Sequence, residues 1–191
     1  MRLDHFGLVA PIYERVIRTP DLGRLRAVAD LQPTDRLLDV GGGTGRVSMH
    51  LESAVASAWV LDFSHGMLRQ AVGKGLDVCQ GAAEALPFSD GAFDKIVAID
   101  SFHHFVDHQR AAQELLRVLA PGGRLTIEEP DIRRFAVKLV ALGETLALMR
   151  SRFWRPDELA GFFRGPTTSI KIHAEDHTYW LTVDKTDLHR T

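Results

Sequence analysis

The sequence predicts an α/β protein, a doubly wound and mostly parallel sheet that ends in an antiparallel C-terminal hairpin. Three observations carry this reading. Short, almost wholly apolar runs alternate with helix-like segments up to about residue 130, as strands covered on both faces do. A glycine-rich stretch at residues 41–45 joins the first of these runs to its helix. Near the C-terminus, two β-rich runs at 169–173 and 178–183 are separated only by residues 174–177. That gap is too short for a helical crossover, so the pair is antiparallel.

The elements follow in order. Residues 36–40 form a buried strand that runs into the glycines and a helix from Arg46 to about Ser53. Residues 58–62 are the second strand, and Ser64 caps a helix reaching about Gly73, its hydroxyl accepting from backbone N–H groups. The third strand is 76–80, the fourth 94–99, and a helix follows over 107–119. Pro121, Gly122 and Gly123 break that helix before a fifth strand at 124–128, because proline cannot continue it and glycine supplies the turn. Right-handed crossovers place the helices on both faces. Pro156 opens a further helix, as proline does at a first helical position. Without a linker or repeat, the chain reads as one domain over 1–191. Its parts are an N-terminal helical cap (1–34), a cofactor-binding core (35–130), substrate-side helices (131–166) and the hairpin (167–184).

Composition narrows the function. With 45% hydrophobic and 25% charged residues over 191 positions, the chain can bury a sizeable core. A net charge of −2 gives no basic excess for a nucleic-acid partner. The single cysteine, Cys79, offers neither an internal disulfide nor a thiolate cluster. The N-terminus lacks the apolar core of a signal peptide, and no run approaches the roughly 20 apolar residues of a membrane span. A cytoplasmic enzyme or binding protein is expected.

Gly41, Gly43 and Gly45 sit between a buried strand and a helix. Glycine there permits positive φ and lets a ligand lie against bare backbone, at the sheet edge where open α/β folds bind nucleotide-like ligands. The dinucleotide fingerprint would need glycine or alanine at 46, where this chain has Arg46, which counts against a nicotinamide dehydrogenase. Instead Asp39 ends the strand. An acid there repels a pyrophosphate and suits an amino group. Asp62 closes the second strand, at about the 20-residue interval where an acid meets ribose hydroxyls, both of which one carboxylate can accept.

Residues 37–45 thus resemble motif I of class I S-adenosylmethionine-dependent methyltransferases. Residues 81–94 resemble the segment before strand four in their ubiquinone/menaquinone-biosynthesis-like branch, and residues 116–123 the turn before strand five. The resemblance runs from about Asp35 to Glu129. It implies a seven-stranded Rossmann-like sheet whose last strand is inserted antiparallel beside the fifth. It also implies S-adenosyl-L-methionine as cofactor, with S-adenosyl-L-homocysteine as product. Asp39, Gly41 and Gly43 would then line the methionine part, with Gly42 and Gly45 in the same loop and Asp100 at the end of strand four. Asp62 would hold the ribose, and Phe63 and Met67 would lie near the adenine. Gly81, Ala82, Ala83 and Glu84 would pass its amino edge. The family commonly has an acid where this chain has Ala82, so that contact falls to a backbone carbonyl, water or Glu84. Tyr13 lies in a segment resembling the aromatic one that closes over the cofactor.

Methyl transfer from a sulfonium needs chiefly positioning and exclusion of water. A general base matters when the acceptor sheds a proton. Asp100, His103 and His104 follow strand four, where the sheet opens toward the methyl group, and are the candidate catalytic residues; sequence does not separate the two histidines. His104 and His108 are spaced to share a helix face, but without a third ligand no metal site is expected. Between 131 and 165 lie Phe135, Phe153, Trp154, Phe162 and Phe163, with Arg133, Arg134, Arg150, Arg152, Arg155 and Arg164. These suit amphipathic helices over the acceptor side. The expected activity is methyl transfer to O, N or C of a small molecule. The alternative is a non-catalytic sensor or partner subunit that binds S-adenosylmethionine or S-adenosylhomocysteine.

Overall fold

The computed structural model describes residues 21–133, 151–174 and 177–186. Tyr13, Arg134, Phe135 and Arg150, together with most of the N-terminal cap, lie outside them. One seven-stranded sheet runs through the described chain in the order β3-β2-β1-β4-β5-β7-β6. Its strands are β1 (Arg36–Val40), β2 (Ser57–Asp62), β3 (Asp77–Gln80), β4 (Phe93–Ile99), β5 (Leu119–Pro130), β6 (Thr168–Ala174) and β7 (Thr178–Lys185). The first five pair in parallel. β7 is inserted between β5 and β6, antiparallel to both. The expected sheet and hairpin are both present.

Helices cover both faces because side chains alternate along each strand. Leu38, Ile96, Ala98, Ile127 and Leu181 face one layer. Their neighbours Leu37, Val97, Ile99 and Trp180 face the other. The first layer receives helix α4 (His108–Val118) through Ala111, Ala112, Leu115 and Val118, and α5 (Pro156–Gly161) through Leu159 and Ala160. The second receives α1 (Leu22–Ala29) through Leu25 and Ala29, and α2 (Ser48–Leu51) through Leu51. Helix α3 (His65–Gly73) buries Leu68 and Ala71 against Val60 and Leu76.

The helix starts are fixed by side-chain oxygens. Ser64 accepts from Met67 N at 3.2 Å and Asp107 from Arg110 N at 3.0 Å, each satisfying a donor the first turn leaves unpaired. Several boundaries differ from expectation, β5 most, running over Leu119–Pro130 in place of 124–128. α2 begins at Ser48 rather than Arg46 and passes into a 3-10 turn, Glu52–Ala54, with Met49 N donating to Gly45 O at 3.0 Å where the chain enters it. α4 ends at Val118 and β5 starts at once at Leu119, already extended at ψ 128°, two residues ahead of Pro121, which cannot continue a helix. The β4–β5 register then jumps from Phe93↔Leu119 to Lys95↔Arg124, and the excess loop holds Pro121 and Gly122, the latter at φ +78°.

Leu115 is fully buried between α4 and the sheet. Replacing it with alanine should lower unfolding free energy by about 2–5 kcal/mol in urea titration. The denaturant slope should be unchanged if the fold is retained.

Candidate active site

All five parallel strands end at one edge, and the loops leaving them form the site. The β1–α2 loop turns through Gly41, Gly43 and Gly45, all at positive φ, but the glycines have different reasons to be there. A Cβ on Gly41 would lie 2.7 Å from Ser101 Cβ, and one on Gly42 2.6 Å from Asp39 Cγ. One on Gly45 would overlap Leu76 and press on Ala71. These three positions are closed by the protein itself. At Gly43 the nearest atom is Met67 Sδ, 4.0 Å away. Gly43 is therefore the loop glycine whose bare face is open to a ligand.

The carboxylate at the end of β2 shapes the same loop. Asp62 Oδ2 accepts from Gly43 N at 2.9 Å and Oδ1 from Ser64 N at 2.7 Å, tying the first loop to the second. Phe63, half exposed, and Met67, buried, flank this junction. Gly81 N donates to Asp62 O at 3.0 Å, bringing residues 81–84 alongside. Glu84, a candidate for the adenine edge, has another task. Its Oε1 accepts from Val106 N at 2.6 Å and Asp107 N at 3.2 Å, securing the approach to α4.

Asp39, at the end of β1, is 1% exposed and accepts from Ser48 Oγ at 2.6 Å. Burial raises its pKa to about 6; the Ser48 bond and the Arg46 charge act against this, and the Asp62 charge adds to it. Arg46, which sequence used only to exclude a dinucleotide loop, proves to be a nearly buried guanidinium 3.9 Å from Asp100. Asp100 closes β4 in the left-handed region at φ 55°, held by Asp100 N→Glu128 O at 2.9 Å. A non-glycine residue there carries strain of about 1–2 kcal/mol, and such strain clusters at functional sites.

The structure separates the two histidines, both in a 3-10 turn, Phe102–His104. Glu129, at the end of β5 and 2% exposed, organises the turn. Its Oε1 accepts from Ser101 N at 3.2 Å and Phe102 N at 2.8 Å, and its Oε2 lies 2.6 Å from His103 Nδ1. Ser101 Oγ donates to Val40 O at 2.9 Å, so the turn also grips β1. The His103 ring stacks on Phe153 at 4.4 Å and meets His104 at 3.9 Å. His104 Nδ1 pairs with Ser151 Oγ at 3.0 Å, and burial, helped by His103, lowers its pKa to about 3. An imidazole that weakly basic stays neutral and makes a poor proton acceptor. His108 is the first residue of α4, so it and His104 do not share one helix.

The structure thus brings Asp39, the glycine loop, Asp62, Met67 and Asp100 to one edge, and buries His103, 1% exposed, in the turn that follows β4. Sequence reasoning missed Glu129, Ser48, Ser101 and Ser151. Glu129 had a signal, being an acid at a strand end like Asp39 and Asp62; the serines had none.

Comparison with known proteins agrees with this geometry. Residues 38–127 match the family model described as a methyltransferase domain. The chain is 40% identical over 140 residues to the demethylmenaquinone methyltransferase of Thermus thermophilus, covering 65% of this chain and 63% of that protein. It is 33% identical over 141 residues to that of Mycobacterium sp. (strain KMS), covering 69% and 61%. The chain therefore spans less than two thirds of the length of these relatives. Among solved structures, an S-adenosylmethionine-dependent methyltransferase from Thermotoga maritima superimposes with a TM-score of 0.79 at 24% identity, covering 95% of this chain and 98% of that one. The [4+2]-cyclase SpnF does so with 0.77 at 20%, covering 95% and 93%. At these identities the likeness is one of fold.

Two measurements check the site. Gly43→Ala should cost only about 1–2 kcal/mol for its left-handed backbone, whereas Gly45→Ala should cost clearly more, its methyl meeting Leu76 and Ala71; equal losses in urea titration would contradict the packing. The second concerns Asp39. Its folded pKa of about 6 lies above the ordinary value near 3.9, so between those values the folded state keeps a proton that the unfolded chain has released. Stability should therefore be full below about pH 4, fall by roughly 2–3 kcal/mol as pH rises to 6, and level off above. Asp39→Asn should abolish that slope.

Proposed function

We propose that this chain, which matches the model of a methyltransferase domain over residues 38–127, is a class I methyltransferase that moves a methyl group from S-adenosylmethionine to O, N or C of a small-molecule acceptor. The observation that carries this reading is the open face of Gly43 beside two strand-end carboxylates, Asp39 and Asp62. An aspartyl group that burial holds near pH 6 favours a cationic partner, such as the ammonium of an amino-acid moiety. The Asp62 carboxylate, which accepts from Gly43 N and Ser64 N, is of the acceptor type that suits ribose hydroxyls. A backbone face that a Cβ would fill lies between them. The residues present fit a nucleoside joined to an amino acid.

In this reading Asp39 takes the ammonium, Asp62 the ribose, and Phe63 and Met67 flank the adenine, whose amino edge meets the backbone at Ala82 and Ala83. The bound cofactor supplies a sulfonium methyl open to displacement. The protein's part is to aim the acceptor and exclude water, with Asp100 at the strained end of β4 and His103 on the acceptor side. His103 takes the acceptor's proton where one is lost; His104 packs the turn. The demethylmenaquinone methyltransferases among its relatives make a ring-bearing acceptor of that kind the first to try. No helix among the described residues is long and apolar enough to cross a membrane, and a cytoplasmic setting belongs to this proposal.

S-adenosylmethionine and S-adenosylhomocysteine should raise the melting temperature with occupancy, and NAD and NADP should not. Asp62→Ala should weaken S-adenosylhomocysteine binding by roughly 1.5–3 kcal/mol in calorimetry. Labelled cofactor incubated with demethylmenaquinol and a panel of small phenols and amines should release its methyl to one of them. Tight binding with no transfer to any acceptor would instead identify a sensor or partner subunit.

A further inference from the structure

We propose that Glu129 is a positioning residue for methyl transfer, seating the turn after β4 with one carboxylate oxygen and fixing the tautomer of His103 with the other. The inference rests on the transferase reading above and adds a residue to it. Glu129 is 2% exposed, at the end of β5, and a buried carboxylate must have its oxygens satisfied to be tolerated. Three donors reach it: Ser101 N, Phe102 N and His103 Nδ1. An ionised carboxylate only accepts, so the contact of 2.6 Å at Nδ1 requires the proton to sit on Nδ1. Proton exchange between His103 and an acceptor must then run through Nε2. The ring plane is set by the same bond and by Phe153, stacked at 4.4 Å with an interplanar angle of 18°.

The second carboxylate oxygen explains why this residue matters to the whole site. Ser101 and Phe102, whose N–H groups it receives, form the start of the turn. Ser101 in turn donates to Val40 O and packs against Gly41. Glu129 thus holds the histidine turn at a fixed distance from the cofactor loop. Arg152 N→His103 O at 2.8 Å binds the same turn to the segment preceding α5.

The test uses Glu129→Gln in the full chain. The amide oxygen of glutamine can still accept from Ser101 N and Phe102 N, but its NH₂ group faces Nδ1 and donates to it. The variant should fold and bind S-adenosylhomocysteine within about twofold of wild type. Nitrogen-15 NMR of the imidazoles should show His103 as the Nδ1–H tautomer in wild type and as the Nε2–H tautomer in the variant. Single-turnover transfer at saturating cofactor should fall by about 10² or more, the scale of general-base assistance, and Glu129→Asp should restore part of it. A wild-type His103 carrying its proton on Nε2 overturns the proposal, and so does a reversed tautomer with an unchanged transfer rate. A wild-type protein that transfers to nothing defeats the transferase reading instead; the tautomer is measured without turnover, so the two failures are told apart.

Discussion

The close approach of the β1–α2 loop to the turn after β4 is the constraint on which the site depends. At Gly41 there is no room for even a methyl group beside Ser101, and Ser101 is itself bound to Val40 O. Two loops from adjacent parallel strands therefore share one boundary, and neither can shift without the other. That contact is what requires glycine at position 41, where the backbone is left-handed at φ +71°. A parallel sheet makes this possible by delivering every strand's end to the same edge.

Charge is handled at that edge in a consistent way. Asp62 and Glu129 each close a strand and accept from backbone N–H groups at this edge, Asp62 from the loops after β1 and β2 and Glu129, through one oxygen, from the turn after β4. Such carboxylates act as fasteners, since charge-assisted bonds to main-chain donors are stronger than neutral ones. Asp39 differs. Among the described residues its side-chain donor is Ser48, its burial is nearly complete, and its proton is correspondingly hard to remove. The least satisfied of these acids sits next to the open glycine face, where a ligand would arrive.

Much of this was legible in the residues. The apolar runs at β1 and β4 could only be strands covered on both sides. Ser64 and Asp107 announced their helices because capping is a local event between a side chain and the next turn. The hairpin was dictated by the brevity of the gap between β6 and β7. What sequence could not supply were consequences of packing between distant segments. The separate reasons for Gly41, Gly43 and Gly45 lie in Ser101, Met67 and Leu76. The difference between His103 and His104 lies in Glu129 and Ser151, which no spacing rule links to them. The diversion of Glu84 to the start of α4 likewise depends on a contact across 22 positions. Local chemistry can be read along the chain, whereas the division of labour among similar residues requires their neighbours.

The insertion of β7 between β5 and β6 has a consequence for how the protein is made. β5 finds its inner partner, β4, within the chain already synthesised, but its outer edge pairs with residues as late as Asp184, 60 positions after Arg124. Until the ribosome has released β7, Leu125 and Ile127 belong to an unfinished sheet margin with open backbone donors and acceptors. Such a margin is the kind of surface on which nascent chains recruit one another. β7, which emerges after β6, fills an interior place in the sheet and not its rim, so a product truncated before Thr178 would lack more than a peripheral hairpin strand. It would leave β5 as a long apolar edge, a template for aggregation.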